Sequence, residues 1–224
     1  MVAPQIAVAF HGIGTPGREL EPGESRYWIG RDRFLQFLDL VAADPAPSRV
    51  LLTFDDANAS DFEIALPALR ERKLRGIFFV ITSRLDRAGS LSTAQLRALA
   101  AEMEVGSHGI DHVDWRKQPD QQLEVELAGS KLLLEDCIGQ TVTAASIPFG
   151  RYDSRVLSAA RRAAYLRVFS TDGGPCHPND NPISRTNIRA EMTLQDYVDL
   201  LQGRRTLLGR MKRYAKILRS RLVC

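Results

Sequence analysis

The sequence predicts an α/β fold built from parallel βαβ units. Short apolar and β-branched runs alternate six or seven times with stretches of helical periodicity along the 224 residues, the pattern of strands joined by right-handed helical crossovers. The run from Val50 to Phe54 is mostly apolar at successive positions, as a strand covered on both faces requires. That run stops on two adjacent carboxylates, Asp55 and Asp56, at the strand end where α/β folds gather their chemistry. Alternation alone fits an open doubly wound sheet as well as a closed barrel.

Taken in order, residues 5–10 form a first strand that ends on His11-Gly12. Residues 12–30, rich in Gly, Pro and charge, form a long loop. Phe34, Leu35, Leu38 and Val41 recur at helical spacing, so 31–41 is a helix, and Pro45 and Pro47 end the connection. The Val50 strand follows. A helix over 61–72 carries Pro67 inside it, which must kink the helix or shift its start. Residues 76–82 are a strand. Ser92 with Gln95 three residues on is a capping box, opening a helix to about 101 that leads into a strand over 103–105. Residues 119–138 form a long amphipathic helix stopped by Gly139. A strand over 141–147, a helix over 154–164, a strand over 166–170, an irregular loop over 172–182 and a last strand over 183–188 complete the chain.

The length supports one sizeable core. Three cysteines, Cys137, Cys176 and Cys224, lack metal-type spacing and argue against a disulfide framework. The N-terminus has no basic region ahead of a long apolar run, and nothing approaches a transmembrane span. These features place the protein in the cytoplasm. The net charge of +3 hides an asymmetry. Eight Lys or Arg and no acid lie beyond Leu200, leaving 22 basic against 27 acidic residues in the body, a balance of −5. The tail, 200–224, reads as a basic amphipathic helix suited to packing on the body or to an anionic membrane surface at the inner leaflet. An acidic body with one tail aromatic argues against nucleic acid.

A second stretch sharpens the reading of the acidic pair. His108 and His112 stand four residues apart after another strand. Two imidazoles and one carboxylate make a site typical of a catalytic zinc. Each feature alone has a plain alternative: Asp55 and Asp56, with Asn58, Ser60 and Asp61, also read as a helix cap, and a spaced His pair is common on surfaces. Their joint occurrence at strand ends points to a metal.

With these residues in view, the sequence resembles the polysaccharide deacetylases, the NodB-like carbohydrate esterases. Thr53-Phe54-Asp55-Asp56-Ala57 is similar to the family's T-F-D-D-G, and Val105-Gly106-Ser107-His108-Gly109-Ile110-Asp111-His112 to its H-[ST]-x-x-H with its I-G-[SN] lead. Gly76-Ile77-Phe78-Phe79-Val80 resembles the A-T-F-F-V strand between them. The resemblance covers about residues 5–190. It implies a distorted (β/α) barrel of about seven strands, with a catalytic domain over 1–199 ahead of the tail.

The resemblance makes Asp55 the general base and Asp56, His108 and His112 the ligands of Zn²⁺ or another divalent metal. Asp111 competes with His112 as a ligand but reads as a neighbouring or solvated acid. Pro148-Phe149-Gly150 matches the end of the family's R-P-P-Y-G, so Pro148 and Phe149 wall the groove and the Phe149 N–H faces the oxyanion. Ser146 stands where the family has its Arg, and Arg185, on the last strand, is the candidate to replace it. The late L-x-H that supplies the catalytic acid is absent. His11 takes that role if the first and last strands are neighbours in a barrel, with His177 as the other candidate and Cys176 incidental. The implied reaction is metal-dependent removal of an N-acetyl group from a sugar, on a polysaccharide precursor or a lipid- or nucleotide-linked saccharide. The departures from the motifs keep two other readings open: a non-catalytic carbohydrate-binding relative, and a hydrolase of another non-peptide C–N bond.

Overall fold

The computed structural model describes residues 5–204. In chain order the strands are β1 (Gln5–Phe10), β2 (Gly12–Ile13), β3 (Trp28–Ile29), β4 (Val50–Asp55), β5 (Gly76–Val80), β6 (Glu104–Ser107), β7 (Ala144–Ser146), β8 (Arg167–Ser170), β9 (Pro175–Cys176), β10 (Ile183–Ser184) and β11 (Thr186–Asn187). The α-helices are α1 (Arg31–Ala42), α2 (Leu66–Glu71), α3 (Thr93–Ala100), α4 (Asp120–Glu124), α5 (Ser130–Ile138), α6 (Ser154–Arg162) and α7 (Leu194–Leu201).

The main sheet runs β10-β8-β7-β6-β5-β4-β1-β11, with every neighbouring pair parallel. β10 and β11 are separated by Arg185 alone, yet β10 pairs with β8 and β11 with β1. This one segment joins the two edges of the sheet into a nearly closed barrel. The expected last strand over 183–188 is therefore two half-strands. The backbone stays on β8 through Arg185, whose N–H bonds the Ser170 carbonyl at 3.0 Å, and then crosses to β1, where the Ile188 N–H reaches the Ala9 carbonyl at 2.9 Å. Counted as one stave, the split strand joins six longer ones, in keeping with the expected barrel of about seven.

Side-chain alternation along the strands divides the core in two. Inside the barrel, Ala7, Ile77, Phe79, Ala144, Phe169, Cys176 and Ile183 form a small cluster. Outside, Phe10, Phe54 and Phe78 meet the helices, with Phe54 and Phe78 stacked at 4.4 Å and Phe34 of α1 edge-on to Phe10 at 5.1 Å. Each such side chain stabilises the fold by about 1.5–3 kcal/mol on burial. α7 joins the same layer through Tyr197, edge-on to Phe37 at 5.0 Å.

Several elements differ from the sequence reading. Residues 12–30 contain the parallel pair β2–β3. The strand expected over 141–147 covers only Ala144–Ser146, because the Val142 N–H goes to the Glu135 carboxylate at 2.9 Å. The helix expected over 61–72 begins as a π turn, Asp61–Ala65. Pro67 then falls in the first turn of α2, where its missing N–H costs nothing. The basic helix expected over 200–224 lies outside the described residues past 204, and Leu200 and Leu201 at its expected start are the end of α7. Among those described, no helix is long and apolar enough to cross a membrane.

The long helix expected over 119–138 is broken by a second π turn, Val125–Gly129, between α4 and α5. This turn carries Glu126, which is fully buried. Its carboxylate accepts the N–H groups of Ile110 at 2.9 Å and Asp111 at 3.3 Å, and the Trp115 indole N–H at 3.5 Å. The Ser130 hydroxyl donates to the Glu126 carbonyl at 2.6 Å and meets the Ser107 hydroxyl at 2.7 Å. The π turn thus pins the loop between His108 and His112. A buried donor left without its acceptor costs about 1–3 kcal/mol, so Glu126→Ala is expected to destabilise by several kcal/mol and Glu126→Gln by less. Urea denaturation checks this, and equal midpoints for wild type and Glu126→Ala would rule out the pinning role.

Candidate active site

The C-terminal ends of β4, β6 and β7 and the closing segment converge on one cavity of about 450 Å³. Asp55 and Asp56 end or leave β4 and are both buried. Asp56 and Ala57 have φ of 80° and 56°, so the chain turns sharply out of the strand and the two carboxylates face different partners. Left-handed non-glycine residues carry strain of about 1–2 kcal/mol and cluster at functional sites. His112 (φ 54°) and Phe149 (φ 58°) repeat the pattern around the same cavity.

Asp56, His108 and His112 come together as one group whose nearest donor atoms lie within 4.8 Å of one another. His108 Nε2 is 3.6 Å and His112 Nε2 3.8 Å from Asp56 Oδ1. Ligand atoms about 2 Å from a tetrahedral ion stand roughly 3.3 Å apart, so Asp56 lies close to ligand spacing from both imidazoles. His108 Nδ1 lies 2.8 Å from the Ser146 carbonyl. A carbonyl only accepts, so Nδ1 carries the proton and Nε2 offers its lone pair inward. Burial lowers the His108 pKa to about 4, against the opposing pull of Asp55, which keeps the ring neutral and able to ligate. Burial pushes Asp56 up, but His11, His112 and His108 outweigh it and the net pKa is lowered. Asp56 Oδ1 has no hydrogen-bond partner among the described residues, as expected of an oxygen reserved for a cation.

Asp55 faces the closing segment. Arg185 Nη1 and Nη2 donate to Asp55 Oδ1 and Oδ2 at 2.7 and 2.8 Å, a bidentate pair with both residues buried. Arg185 also donates to Thr53 Oγ1 at 2.8 Å, Ser146 Oγ at 2.6 Å and the Ser170 carbonyl at 3.3 Å. Ser146 Oγ in turn donates to Asp55 Oδ2 at 3.1 Å. The guanidinium absent from position 146 thus enters from position 185, and the small Ser146 leaves room for it. Burial raises the Asp55 pKa, but Arg185 and then His108 override it and hold the carboxyl far below the usual range.

His11 follows β1 and lines the same cavity. Its ring stacks on Tyr27 at 4.9 Å, and Nδ1 has no hydrogen-bond partner among the described residues. β1 does neighbour the closing segment, which is what brings the first histidine of the chain to this rim. Phe149 is half exposed over His112, ring centroids 4.4 Å apart, and Pro148 is buried beside it. His177 is exposed in the β9–β10 loop and does not line the cavity. Asp111 is exposed, its N–H held by Glu126. Cys176 packs in the inner core. Asp61, read from sequence among the cap residues, is instead a buried acid that burial and the Asp56 and Asp55 charges push well above the usual range. Glu126 escaped the sequence reading because it occupies one more position of an amphipathic helix, and only the π turn carries it inward.

Comparison with known proteins bears on the fold and the family. The sequence model of the polysaccharide deacetylase family matches residues 42–168, more than half of the chain. "Putative polysaccharide deacetylase YxkH" of Bacillus subtilis (strain 168) is 30% identical over 138 residues, which cover 60% of this chain and 50% of that protein. The matched region thus spans about half the length of that curated relative. Among solved structures, the Streptococcus pyogenes deacetylase PplD in complex with acetate superposes with a TM-score of 0.76 at 22% identity, covering 89% of this chain and 98% of that one. IcaB from Ammonifex degensii gives 0.73 at 21%, with 89% and 97% covered. These likenesses show a shared fold. With the family's sequence model spanning both motifs and the barrel matching solved deacetylases, the chain belongs to the polysaccharide deacetylase family.

Proposed function

We propose that this protein is a metal-dependent N-deacetylase that hydrolyses the acetamide of an N-acetylated saccharide. The observation that carries the reading is the split of two consecutive carboxylates, Asp56 toward two neutral-capable imidazoles and Asp55 toward Arg185. Asp56, His108 and His112 would hold a divalent ion, and zinc or another first-row ion bound there would polarise the acetyl carbonyl and acidify a water molecule. Asp55, ionised and oriented by Arg185, accepts the proton of that water as it attacks the carbonyl carbon. The Phe149 N–H, fixed by the left-handed turn, donates to the developing oxyanion. His11 protonates the amine as the C–N bond breaks, releasing acetate and the free amino sugar.

The departures from the family motifs favoured a non-catalytic relative while the arginine was missing. Arg185 offers a guanidinium to Asp55 and His11 lines the same cavity, so the catalytic reading is preferred. The protein works in the cytoplasm in this reading, on a saccharide precursor.

Three variants separate the roles. Asp55→Asn is expected to retain metal and lose about 10²–10⁴ in kcat, since an amide takes no proton from water; loss of the ion instead, read by metal analysis, would exchange the roles of Asp55 and Asp56. His108→Ala is expected to lose the ion, and stoichiometric tight zinc in that variant would end the ligand assignment. His11→Ala is expected to lower kcat about 10²-fold with little change in KM, while His177→Ala does nothing; equal effects of the two would remove His11 from the mechanism. For Arg185→Met, leaving Asp55 buried and unpaired is expected to cost about 3–5 kcal/mol. A thermal melt indistinguishable from wild type would show that the pair does not hold the barrel shut.

A further inference from the structure

Two aromatic side chains, Tyr27 and Phe149, line the cavity, and each carries arginine. Tyr27, stacked on His11, has Arg26 at 5.5 Å and Arg189 at 6.0 Å from its ring centroid. Phe149, over His112, has Arg151 at 5.4 Å. All three arginines line the cavity and are about half exposed.

The acids that line the cavity are already engaged. Asp55 is held by Arg185 and Asp56 by the metal group, Glu21 pairs with Arg84, and Glu24 pairs with Arg18. Two carboxylates form ion pairs with the three arginines among the described residues. Glu191 is shared, 3.3 Å from Arg26 and 3.9 Å from Arg189. Asp114 is gripped by Arg116 at 3.0 and 2.8 Å and meets Arg151 only at 3.4 Å. Around each ring an excess positive charge therefore remains, on a body whose balance is −5. Pairs this exposed are worth about 0–1 kcal/mol, so the guanidiniums are available to an incoming anion. Arginine also matches phosphate and carboxylate oxygens two at a time. Nothing in the recognition of a neutral glycan calls for three cations around the acetamide.

We propose that the groove takes an anionic N-acetylated saccharide, one bearing a phosphodiester or a uronate carboxylate within about a sugar residue of the acetamide, with the charge bound by Arg26 and Arg189 beside Tyr27 or by Arg151 beside Phe149. This rests on the deacetylase reading for the acetamide but makes a separate claim about charge.

The test uses the metal-loaded full chain and three probes: a chitin hexamer, which is neutral; a hyaluronan hexasaccharide, which alternates N-acetylglucosamine with glucuronate; and an N-acetylglucosamine oligomer joined by phosphodiesters. Affinity is measured by calorimetry at about 50 mM and about 500 mM salt. At least one acidic probe is expected to bind about tenfold or more tighter than the chitin hexamer. That advantage should vanish at high salt and in an Arg26→Gln/Arg189→Gln or an Arg151→Gln variant, but persist in Arg162→Gln at the end of α6. Which acidic probe shows it identifies the anion. The inference is overturned if the neutral hexamer binds as tightly as both acidic probes, if neither acidic probe binds, or if the advantage survives substitution of all three arginines. Acetate release from the same probes is read separately. Charge-selective binding without acetate release removes the deacetylase reading and leaves the charge preference standing, and release from all three without selectivity does the reverse.

Discussion

The ion pair between Asp55 and Arg185 closes the barrel and orients the site in a single contact. Arg185 lies between two half-strands that pair with opposite edges of the sheet. Its guanidinium bonds groups on β4, β7 and β8 and lies over Phe79 of β5 at 5.2 Å and Phe169 of β8 at 5.8 Å. The inner core beneath it is small, with alanines at 7 and 144 and two phenylalanines providing most of the bulk. A buried charge pair adds little net stability, because desolvation offsets its attraction. Its contribution is to uniqueness: a fully bonded guanidinium has one place to go, and the segment that carries it is thereby held at the seam.

That same contact decides how two adjacent carboxylates come to differ. Both aspartates are buried, and burial alone would push both toward neutrality. Asp55 stays ionised because Arg185 faces both of its oxygens. At Asp56 burial is likewise offset, first by His11 and then by His112, and a bound cation would add to that. Asp61, with no such partner, goes the other way and is pushed well above the usual range. The site thus shifts carboxyl groups in opposite directions within one stretch of seven residues, set by what each one faces.

Much of this was legible in the sequence, and the unread part has a physical pattern. Strands β1, β4, β5 and β8 announce themselves as apolar runs because both of their faces are covered. The group of Asp56, His108 and His112 is readable because its members fall within two short motifs with local spacing. Arg185 was only a candidate, since its partner Asp55 is 130 residues away and one arginine beside a short strand has no periodicity to mark it. The splitting of the last strand follows from closure of the sheet, which no local window contains. Glu126 lies in a helix whose pattern looks unbroken, and a π turn leaves too small a change of phase to see in the hydrophobic positions. The groove arginines at 26, 151 and 189 come from three separate loops, so their convergence is a property of the fold alone.

The polar atoms around the cavity give the final constraint on what this arrangement is for. Asp56 Oδ1, His11 Nδ1 and His112 Nδ1 are buried with no hydrogen-bond partner among the described residues. An unsatisfied buried polar atom costs about 1–3 kcal/mol, more when charged. Strain at Asp56, Ala57, His112 and Phe149 adds to that cost in the same few ångströms. A protein selected for stability alone would relieve these with apolar side chains and glycines. Here the surroundings instead enforce them: Glu126 fixes the His108–His112 loop, the Ser146 carbonyl fixes the His108 tautomer, and Arg185 fixes Asp55. In the proposed reading these supports preorganise the site for a cation and a hydrolytic water, whose binding would recover free energy that the fold alone leaves unspent.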